Sequence, residues 1–420
     1  RTMADHRRYR LMDSSWALLL AAAQLLLCGL AAASPASSLH SSSPEAEVGA
    51  MLGPVFRGEY GSSTAEHERF GREMGAAFAE PARRRLARKR NALLVEWVSK
   101  DAAGTRTLKA FAEAHERLYP LFMAELRGIA AGVGVPFAHV LALNLHQELS
   151  KFCPDRAAVA PTADHCSDYV LWPWIAHNED SGVKEAGTLF IAHVVIDGAS
   201  FSGAVYAGDL PSGAFGFNGH GVGFTLNFVD PTEAAFGGVG RGFISRQLLT
   251  ARSFKEAVQI AVGDGQAVGH SYQIFALSAE QGSGRIAQVE SISHGRHAVQ
   301  EVSEGSAPLF HTNHLLFLQP PVPQHMTTSS AHRLERAREL PPPSSAQDLL
   351  AVLGDQADSA FPLFHDAGSR AAGDISGEET MATVLVDVAR GTLTLLAGNP
   401  ARQPRTLAVL RIPRPNILLD

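Results

Sequence analysis

The sequence predicts an α+β fold in which an N-terminal helical part precedes a part dominated by strands. Residues 63–134 follow a helical pattern, whereas strand-like runs bounded by turn signals begin at residue 168 and recur as far as residue 397. Helical patterns return at residues 240–262 and again after Ser345. Sheets that meet across a core with helices outside them satisfy this order of elements.

The N-terminal helices have recognisable ends. Ser63 and Glu66 form a capping-box pair in front of the first apolar helical face. A second helical stretch covers residues 107–132, and Pro136 opens a further helix over residues 137–149. The polar, proline-containing residues 151–163 that follow predict an exposed loop.

The strands follow that loop. The predicted strands are residues 168–177, 188–196, 203–210, 272–277, 286–291, 383–388 and 392–397, together with a hairpin that turns at Asn218-Gly219. Between them, a helix at residues 240–251 is followed by one that starts with the capping pair Ser253/Glu256, and a later helix starts with Ser345/Asp348.

Composition excludes some functions. The 420 residues carry a net charge of −6 and 45% hydrophobic residues, which is ordinary for a globular protein. We therefore expect no nucleic-acid partner. The basic run from Arg83 to Arg90 lies within a helical pattern, and we interpret it as a solvated helix face.

The N-terminus has the features of a targeting signal. Basic residues precede an uncharged, Leu/Ala-rich stretch at residues 16–33, and small residues follow it. We assign residues 1–36 to a signal peptide or anchor and residues 37–53 to a linker. This predicts the secretory pathway, with residues 16–33 as a membrane anchor if the signal is retained.

Cysteines are few, so the chain is not a disulfide scaffold. Cys28 lies in the signal, which leaves Cys153 and Cys166. Two interpretations of this pair stay open. They form a disulfide, or Cys166 is a nucleophile.

Cys166 stands between the predicted loop and the first strand, a place that suits a nucleophile exposed by self-cleavage. A thiol is nucleophilic only as the thiolate, and its ordinary pKa leaves only a few per cent ionised at neutral pH. If the bond between His165 and Cys166 is cut, the new α-amino group can take the thiol proton.

Two polar motifs lie near strand ends. Asn178-Glu179-Asp180 follows the first predicted strand, where it is either a turn or part of a site. His311-Thr312-Asn313-His314 follows another strand-like run, and an asparagine amide is a suitable oxyanion donor. No HExxH or CxxC pattern accompanies the two histidines, so we expect no metal.

Together these motifs resemble the acyl-CoA:6-aminopenicillanate acyltransferase and N-β-alanyl-dopamine hydrolase family of N-terminal-nucleophile hydrolases. No single motif is specific, and the resemblance depends on their order and spacing over residues 54–412. The matching stretches are residues 54–58, 70–75, 125–130, 141–144, Cys166-Ser167-Asp168, His177-Asn178-Glu179-Asp180, Gly216-Phe217-Asn218 with Gly221-Val222, His311-Thr312-Asn313-His314 and Ala382-Thr383-Val384.

The resemblance implies a four-layer αββα sandwich that cleaves itself. Residues 54–165 would be a helical pro-derived subunit and residues 166–420 the catalytic subunit, which together form a heterodimer. The implied reaction is hydrolysis or transfer of the acyl group of a small N-acyl amine through a thioester, without cofactor or metal. The Asn-Glu-Asp form of residues 178–180 is closer to the β-alanyl-amine hydrolases than to the penicillin enzyme.

The resemblance also assigns roles to single residues. Cys166 would be the nucleophile, Asp180 would hold the α-amino group or assist the oxyanion, and Asn313 would be the oxyanion donor. Phe217 and Asn218 would line the acyl pocket.

The sequence departs from the family at two places. His165 stands where the family usually has glycine before the nucleophile, and a Cβ narrows the backbone conformations at that bond. An arginine that some members carry is absent, because the matching residues are Pro362-Leu363-Phe364-His365. Two alternatives stay open. One is an acid-ceramidase-like lysosomal N-acyl hydrolase, which also combines a secretory signal with a cysteine as N-terminal nucleophile. The other is a non-catalytic protein that keeps the fold, which is the alternative that His165 favours.

Overall fold

The computed structural model describes residues 53–159 and 166–415, and it confirms the predicted α+β fold. Its strands form an eight-stranded and a six-stranded sheet. The strands are β1 (Phe56–Tyr60), β2 (Ser167–Leu171), β3 (Trp174–Gly182), β4 (Leu189–Ile196), β5 (Ala199–Tyr206), β6 (Phe215–Asn218), β7 (Val222–Phe228), β8 (His270–Leu277), β9 (Gly284–Ser291), β10 (His297–Val302), β11 (Leu309–His311), β12 (Glu378–Asp387), β13 (Thr392–Ala397) and β14 (Arg405–Arg411).

The helices divide between an N-terminal group and later insertions among the strands. They are α1 (Thr64–Ala77), α2 (Ala79–Leu86), α3 (Lys89–Lys100), α4 (Ala102–Leu118), α5 (Pro120–Val133), α6 (Phe137–Asn144), α7 (His146–Ser150), α8 (Arg156–Val159), α9 (Arg241–Leu248), α10 (Phe254–Ala261), α11 (Thr328–Glu339), α12 (Ala346–Leu353) and α13 (Ala367–Ala372).

The two sheets pack face to face between layers of helices. The eight-stranded sheet has the order β1-β4-β5-β6-β7-β8-β9-β10, and the six-stranded sheet has the order β11-β2-β3-β12-β13-β14. Apolar residues of both sheets, such as Phe275 and Val384, share one buried cluster. A second cluster joins the larger sheet to the N-terminal helices and to α9 and α10. A third joins the smaller sheet to α11 and α12, which completes an αββα sandwich.

The N-terminal part also contributes a strand that the sequence pattern did not predict. β1 pairs in parallel with β4, and Phe56 lies opposite Ala192. The part of the chain before Cys166 is therefore built into the edge of the larger sheet through β1, and its contacts are not confined to helices.

The predicted helix starts at Ser63, Ser253 and Ser345 are confirmed, because each serine side chain accepts a hydrogen bond from the backbone N–H three residues later. The single helix predicted for residues 107–132 is wrong. The chain instead breaks at Tyr119, and Pro120 opens α5, since proline has no N–H to donate and suits the first turn.

No described helix is long and apolar enough to cross a membrane. The predicted signal, the linker to residue 52 and His165 lie outside the described residues.

Candidate active site

The segment after Cys166 is a hairpin, and this corrects the single strand predicted for residues 168–177. β2 ends at Leu171 and β3 begins at Trp174. Pro173 lies in the turn, where its missing N–H costs no ladder hydrogen bond. Asn178-Glu179-Asp180 is consequently neither a turn nor a strand end, but the middle of β3.

The register of this hairpin decides which side chains meet. Asp168 lies opposite His177, which places Cys166 across from Glu179. Because side chains alternate between the faces of a sheet, these four share the face that meets the larger sheet. Asp180 lies on the opposite face, toward the outer helices.

On this inner face, hydrogen bonds connect the four side chains in a row. The Cys166 thiol donates to Glu179 Oε2 at 3.0 Å, and His177 Nε2 lies 3.3 Å from the same oxygen. His177 Nδ1 lies 3.1 Å from Asp168 Oδ1, which also accepts from Thr225 of β7 at 2.6 Å. Each of the five residues is at most 5% exposed. We call Cys166, Glu179, His177 and Asp168 the thiol relay.

The charges in the thiol relay are strongly coupled. Burial alone would lower the pKa of His177, but the charge of Asp168 and the hydrogen bonds to Asp168 and Glu179 raise it to about 10. His177 is therefore an imidazolium between two carboxylates. Burial and the charges of Glu179 and Asp180 raise the pKa of the Cys166 thiol well above its ordinary value, so the resting group is a thiol.

A thiolate, an imidazole and a carboxylate are also ligands that zinc binds in proteins. The sulfur of Cys166, a ring nitrogen of His177 and a carboxylate oxygen of Glu179 lie within 4.8 Å of one another. Both ring nitrogens of His177 are engaged by carboxylates, so a metal would first have to displace a proton. We therefore interpret the group as a hydrogen-bonded relay.

Asp180 contacts the site from the other side. Its Oδ1 accepts a hydrogen bond from Thr380 at 2.6 Å, and burial raises its pKa to about 6. Its backbone N–H is hydrogen bonded to the Cys166 sulfur, which favours the thiolate. The structure thus brings the predicted Asp180 to Cys166 through its backbone, while its side chain lies among residues of the outer face.

Asn313 is connected to Cys166 through Arg333 of α11. The fully buried Arg333 guanidinium donates to the Cys166 carbonyl at 2.9 Å, to the Ser167 hydroxyl at 2.7 Å and to Asn313 Oδ1 at 2.6 Å. Asn313 Nδ2 donates to the Phe228 carbonyl at 2.9 Å. Arg333 therefore fixes the asparagine amide relative to the start of β2.

Sequence analysis did not single out Arg333, Asn227 or Tyr206. Asn227 of β7 donates to the Cys166 carbonyl at 3.1 Å, and the Tyr206 hydroxyl donates to Glu179 Oε1. Glu179 was also not assigned to the site from the sequence. The signal for it was the two-residue turn at Trp172-Pro173, because the position of this turn sets the hairpin register and so places Glu179 across from Cys166. No local pattern marks Arg333, which is distant in sequence from Cys166.

Cys166 lies in a pocket of mixed charge. The pocket is lined by Arg85, Arg90, Asn91, Leu143, His146, Gln147, Cys166, Glu179, Ser181, Glu185, Tyr206, Asp209, Ser212, Gly213, Ala214, Leu226, Phe228 and Arg241. Arg85 pairs with Glu185 at 3.3 Å and with Asp209 at 3.0 Å. The basic run at residues 83–90 is therefore not simply a solvated face, because Arg85 is buried and helps to form the pocket.

The structure does not bring Phe217 and Asn218 to this pocket. Phe217 packs in the core between the sheets. Asn218 donates to the Ala251 carbonyl at 2.7 Å and accepts from the backbone N–H of His220 and of Val222. The Asn218 amide therefore stabilises the β6–β7 turn. The positions of Phe217 and Asn218 favour a structural role over contact with the acyl group.

Both described cysteines, Cys153 and Cys166, are free thiols, so the disulfide interpretation is wrong. The two histidines of the 311–314 motif have separate partners. His311 Nε2 lies 3.1 Å from Glu290 Oε1, and His314 Nδ1 lies 2.8 Å from the Ser330 hydroxyl.

Comparison with known proteins agrees with the predicted family. The pattern of the family described as acyl-coenzyme A:6-aminopenicillanic acid acyl-transferase matches residues 168–402. The beta-alanyl-dopamine/carcinine hydrolase of Drosophila melanogaster is 23% identical over 309 residues, which cover 67% of this chain and 78% of that protein.

A solved structure is also similar, the Caenorhabditis elegans ortholog of N-acylethanolamine-hydrolyzing acid amidase. It is 12% identical, with a TM-score of 0.33 and coverage of 54% of this chain and 93% of that one. A likeness of this size adds nothing to the fold described above. The family match covers more than half of the chain, and the chain therefore belongs to the acyl-coenzyme A:6-aminopenicillanic acid acyl-transferase family and is an amidohydrolase or N-acyltransferase.

Proposed function

We propose that this protein is a self-processing cysteine amidohydrolase whose nucleophile is Cys166. Cleavage before Cys166 would separate residues 54–165 from residues 166–420 and leave the two as a heterodimer. The observation that carries the proposal is the place of Cys166, a free thiol that lines the charged pocket at the start of β2. The family match begins at residue 168, two residues after Cys166.

The proposed turnover proceeds through a thioester. The free α-amino group of Cys166 takes the thiol proton, and the thiolate attacks the substrate carbonyl. The C–N bond of the substrate then breaks, and the amine leaves with the proton that the α-amino group returns to it. Water hydrolyses the thioester, which releases the acyl group as a carboxylic acid and restores the thiol. The amide of Asn313 stabilises the oxyanion, a contribution worth about 3 kcal/mol in comparable enzymes. Asp180 holds the α-amino group. The hydrogen bonds of Arg333 to Asn313 and to the Cys166 carbonyl support the role of Asn313 as oxyanion donor, because they fix the asparagine relative to the nucleophile.

We propose a small N-acyl amine as the substrate, and β-alanyl amines as its class. The support is the likeness to a beta-alanyl-dopamine/carcinine hydrolase and a pocket that is lined by both acidic and basic side chains. Hydrolysis is preferred over transfer, since the predicted N-terminal signal would direct the chain to the secretory pathway, where acyl-CoA is scarce. A screen of β-alanyl amides against N-acyl ethanolamines would separate this substrate class from the acid-ceramidase-like alternative.

The test of self-cleavage is the size and the N-terminus of the purified protein. We expect two fragments on a denaturing gel, the larger beginning Cys-Ser-Asp. Cys166→Ala should leave one uncut, inactive chain. The matched control is Cys153→Ala, which removes the other described buried thiol and should cut normally. Wild-type protein that stays intact under all conditions would contradict the proposal and favour a non-catalytic protein.

A further inference from the structure

The first cut needs a base that turnover does not. Before cleavage, the nitrogen of Cys166 belongs to a peptide bond, and an amide nitrogen cannot accept the thiol proton. The α-amino group therefore serves only the mature protein. The uncut chain must contain another acceptor within hydrogen-bond distance of the sulfur.

We propose that Glu179 is this acceptor, a general base for self-cleavage that His177 and Asp168 hold in place. This inference rests on the proposed function, since it concerns the step that produces the nucleophile. Glu179 Oε2 lies 3.0 Å from the Cys166 sulfur, and the thiol is the donor in that contact. Glu179 touches the reacting atom, whereas His177 and Asp168 are positioning residues.

Both oxygens of the Glu179 carboxylate have hydrogen-bond partners, which fix its orientation. Oε1 accepts the hydroxyl of Tyr206 from β5, and Oε2 is shared between the thiol and His177. His177 is in turn fixed by Asp168, which Thr225 holds from the larger sheet. Elements of both sheets therefore orient the base, as a preorganised site requires.

The relay also compensates for the charge that forms. When Glu179 takes the proton it becomes neutral, and the negative charge moves to the sulfur. A ring nitrogen of His177 lies within 4.8 Å of the Cys166 sulfur, so a positive charge remains beside the new thiolate. The other nearby carboxylate, Asp180, presents its side chain to the opposite face of the sheet and accepts from Thr380.

The proposed step balances without a further reactant except water. Glu179 removes the proton from the thiol, and the thiolate forms a bond to the carbonyl carbon of residue 165. The bond from that carbon to the Cys166 nitrogen breaks, and Glu179 returns its proton to the leaving nitrogen. Water then hydrolyses the thioester, which gives a carboxylate on residue 165 and restores the thiol.

Glu179 is the proposed base for self-cleavage, whereas the α-amino group is the proposed base for turnover, so the two rates are measured separately. Self-cleavage is followed on denaturing gels for wild-type protein and for Glu179→Gln. Loss of a general base typically costs about 10²–10⁴-fold in rate, and we expect a loss of that size for Glu179→Gln. In a second pair of full-length chains, the residues before Cys166 are replaced by the recognition sequence of a protease that cuts directly in front of position 166.

After that external cut, the α-amino group exists in both proteins. We expect the loss of substrate hydrolysis in Glu179→Gln, relative to the wild-type protein cut in the same way, to be at least about tenfold smaller than its loss of self-cleavage. A purely structural role for Glu179 would lower both rates together, which would overturn the inference, as would self-cleavage of Glu179→Gln at the wild-type rate. Failure of the wild-type chain to cut itself would instead overturn the proposed function.

A second pair of variants keeps the test decisive if Glu179→Gln folds poorly. Glu179→Asp and Glu179→Asn have nearly equal size, and only the first keeps a carboxylate. We expect Glu179→Asp to cleave measurably faster than Glu179→Asn, and equal rates would refute a base at this position. Preincubation with a chelator should leave the wild-type cleavage rate unchanged, and slower cleavage after chelation would favour a metal at the same three side chains.

Discussion

At the scale of the residue, His177 is held by two hydrogen-bond partners near the proposed nucleophile. It is fully buried and lies between the carboxylates of Asp168 and Glu179. Its position follows from the β2–β3 register, which also determines that Glu179 and not Asp180 meets the thiol. The adjacent carboxylates Glu179 and Asp180 therefore have different surroundings.

This arrangement predicts a pH dependence of stability. The pKa of His177 is about 10 in the folded protein, above its value of about 6.5 in an unfolded chain. The folded state therefore binds this proton more tightly. The resulting stabilisation is fully present below pH 6.5 and is lost as the pH rises toward 10. In wild-type protein, the free energy of unfolding measured with denaturant should be lower at pH 9 than at pH 6. The contribution of His177 to this difference has a slope of about 1.4 kcal/mol per pH unit.

The variant His177→Gln should lose this part of the pH slope. His220→Gln, in the turn between β6 and β7, is a matched control that should keep the wild-type slope. Comparison of each variant with the wild type removes the titration of all other groups. An unchanged slope in His177→Gln would show that the proton on His177 is not bound more tightly in the folded state.

At the scale of the element, α1 and α5 approach each other closely through glycines. A Cβ at Gly71 of α1 would lie 1.9 Å from the Glu125 carbonyl oxygen, and a Cβ at Gly128 of α5 would lie 2.0 Å from the Glu68 carbonyl oxygen. Both contacts are with backbone, which cannot rotate away as a side chain can. The helical pattern predicts two helices here, but it does not predict how close they are.

We therefore expect Gly71→Ala to destabilise the fold although alanine favours helices. Overpacking of this kind typically costs about 1–3 kcal/mol. The measurement is the denaturant midpoint against that of Gly263→Ala, whose Cβ would have its nearest neighbour at 3.4 Å. Equal midpoints for the two variants would mean that α1 and α5 can separate at little cost.

At the scale of the whole molecule, the parts before and after Cys166 share a core. Glu125 of α5 is fully buried and receives two hydrogen bonds from Arg246 of α9, at 2.7 and 3.0 Å, and one contact from His67 at 2.7 Å. β1 adds main-chain pairing to β4. A cut before Cys166 therefore breaks one covalent bond and leaves these contacts in place.

The prediction is that the two fragments of the cut protein co-elute in gel filtration and separate only in denaturant. Arg246→Met should weaken their association, because it leaves the buried Glu125 charge without its main partner, at a cost of about 3–5 kcal/mol. Arg285→Gln removes an exposed ion pair with Glu301 and should cost less than about 1 kcal/mol. Separation of the wild-type fragments without denaturant would contradict this account.

Local patterns predicted much of the fold. Side-chain caps at Ser63, Ser253 and Ser345, and alternation in strands such as β13, depend on neighbours in sequence. Local patterns did not predict β1, because this strand is stabilised by its pairing with β4, which is distant in the chain.

The sequence by itself determined the α+β class and the position of a cysteine before the strand predicted at residue 168, because periodicity and turn signals are local. It also determined the family resemblance, through the order and spacing of the motifs along the chain. The tertiary structure alone decided which side chains surround Cys166. A one-residue difference in register exchanges Glu179 for Asp180 on the inner face. Arg333 and Asn227 reach the Cys166 carbonyl from other elements, and no local pattern records such distant contacts.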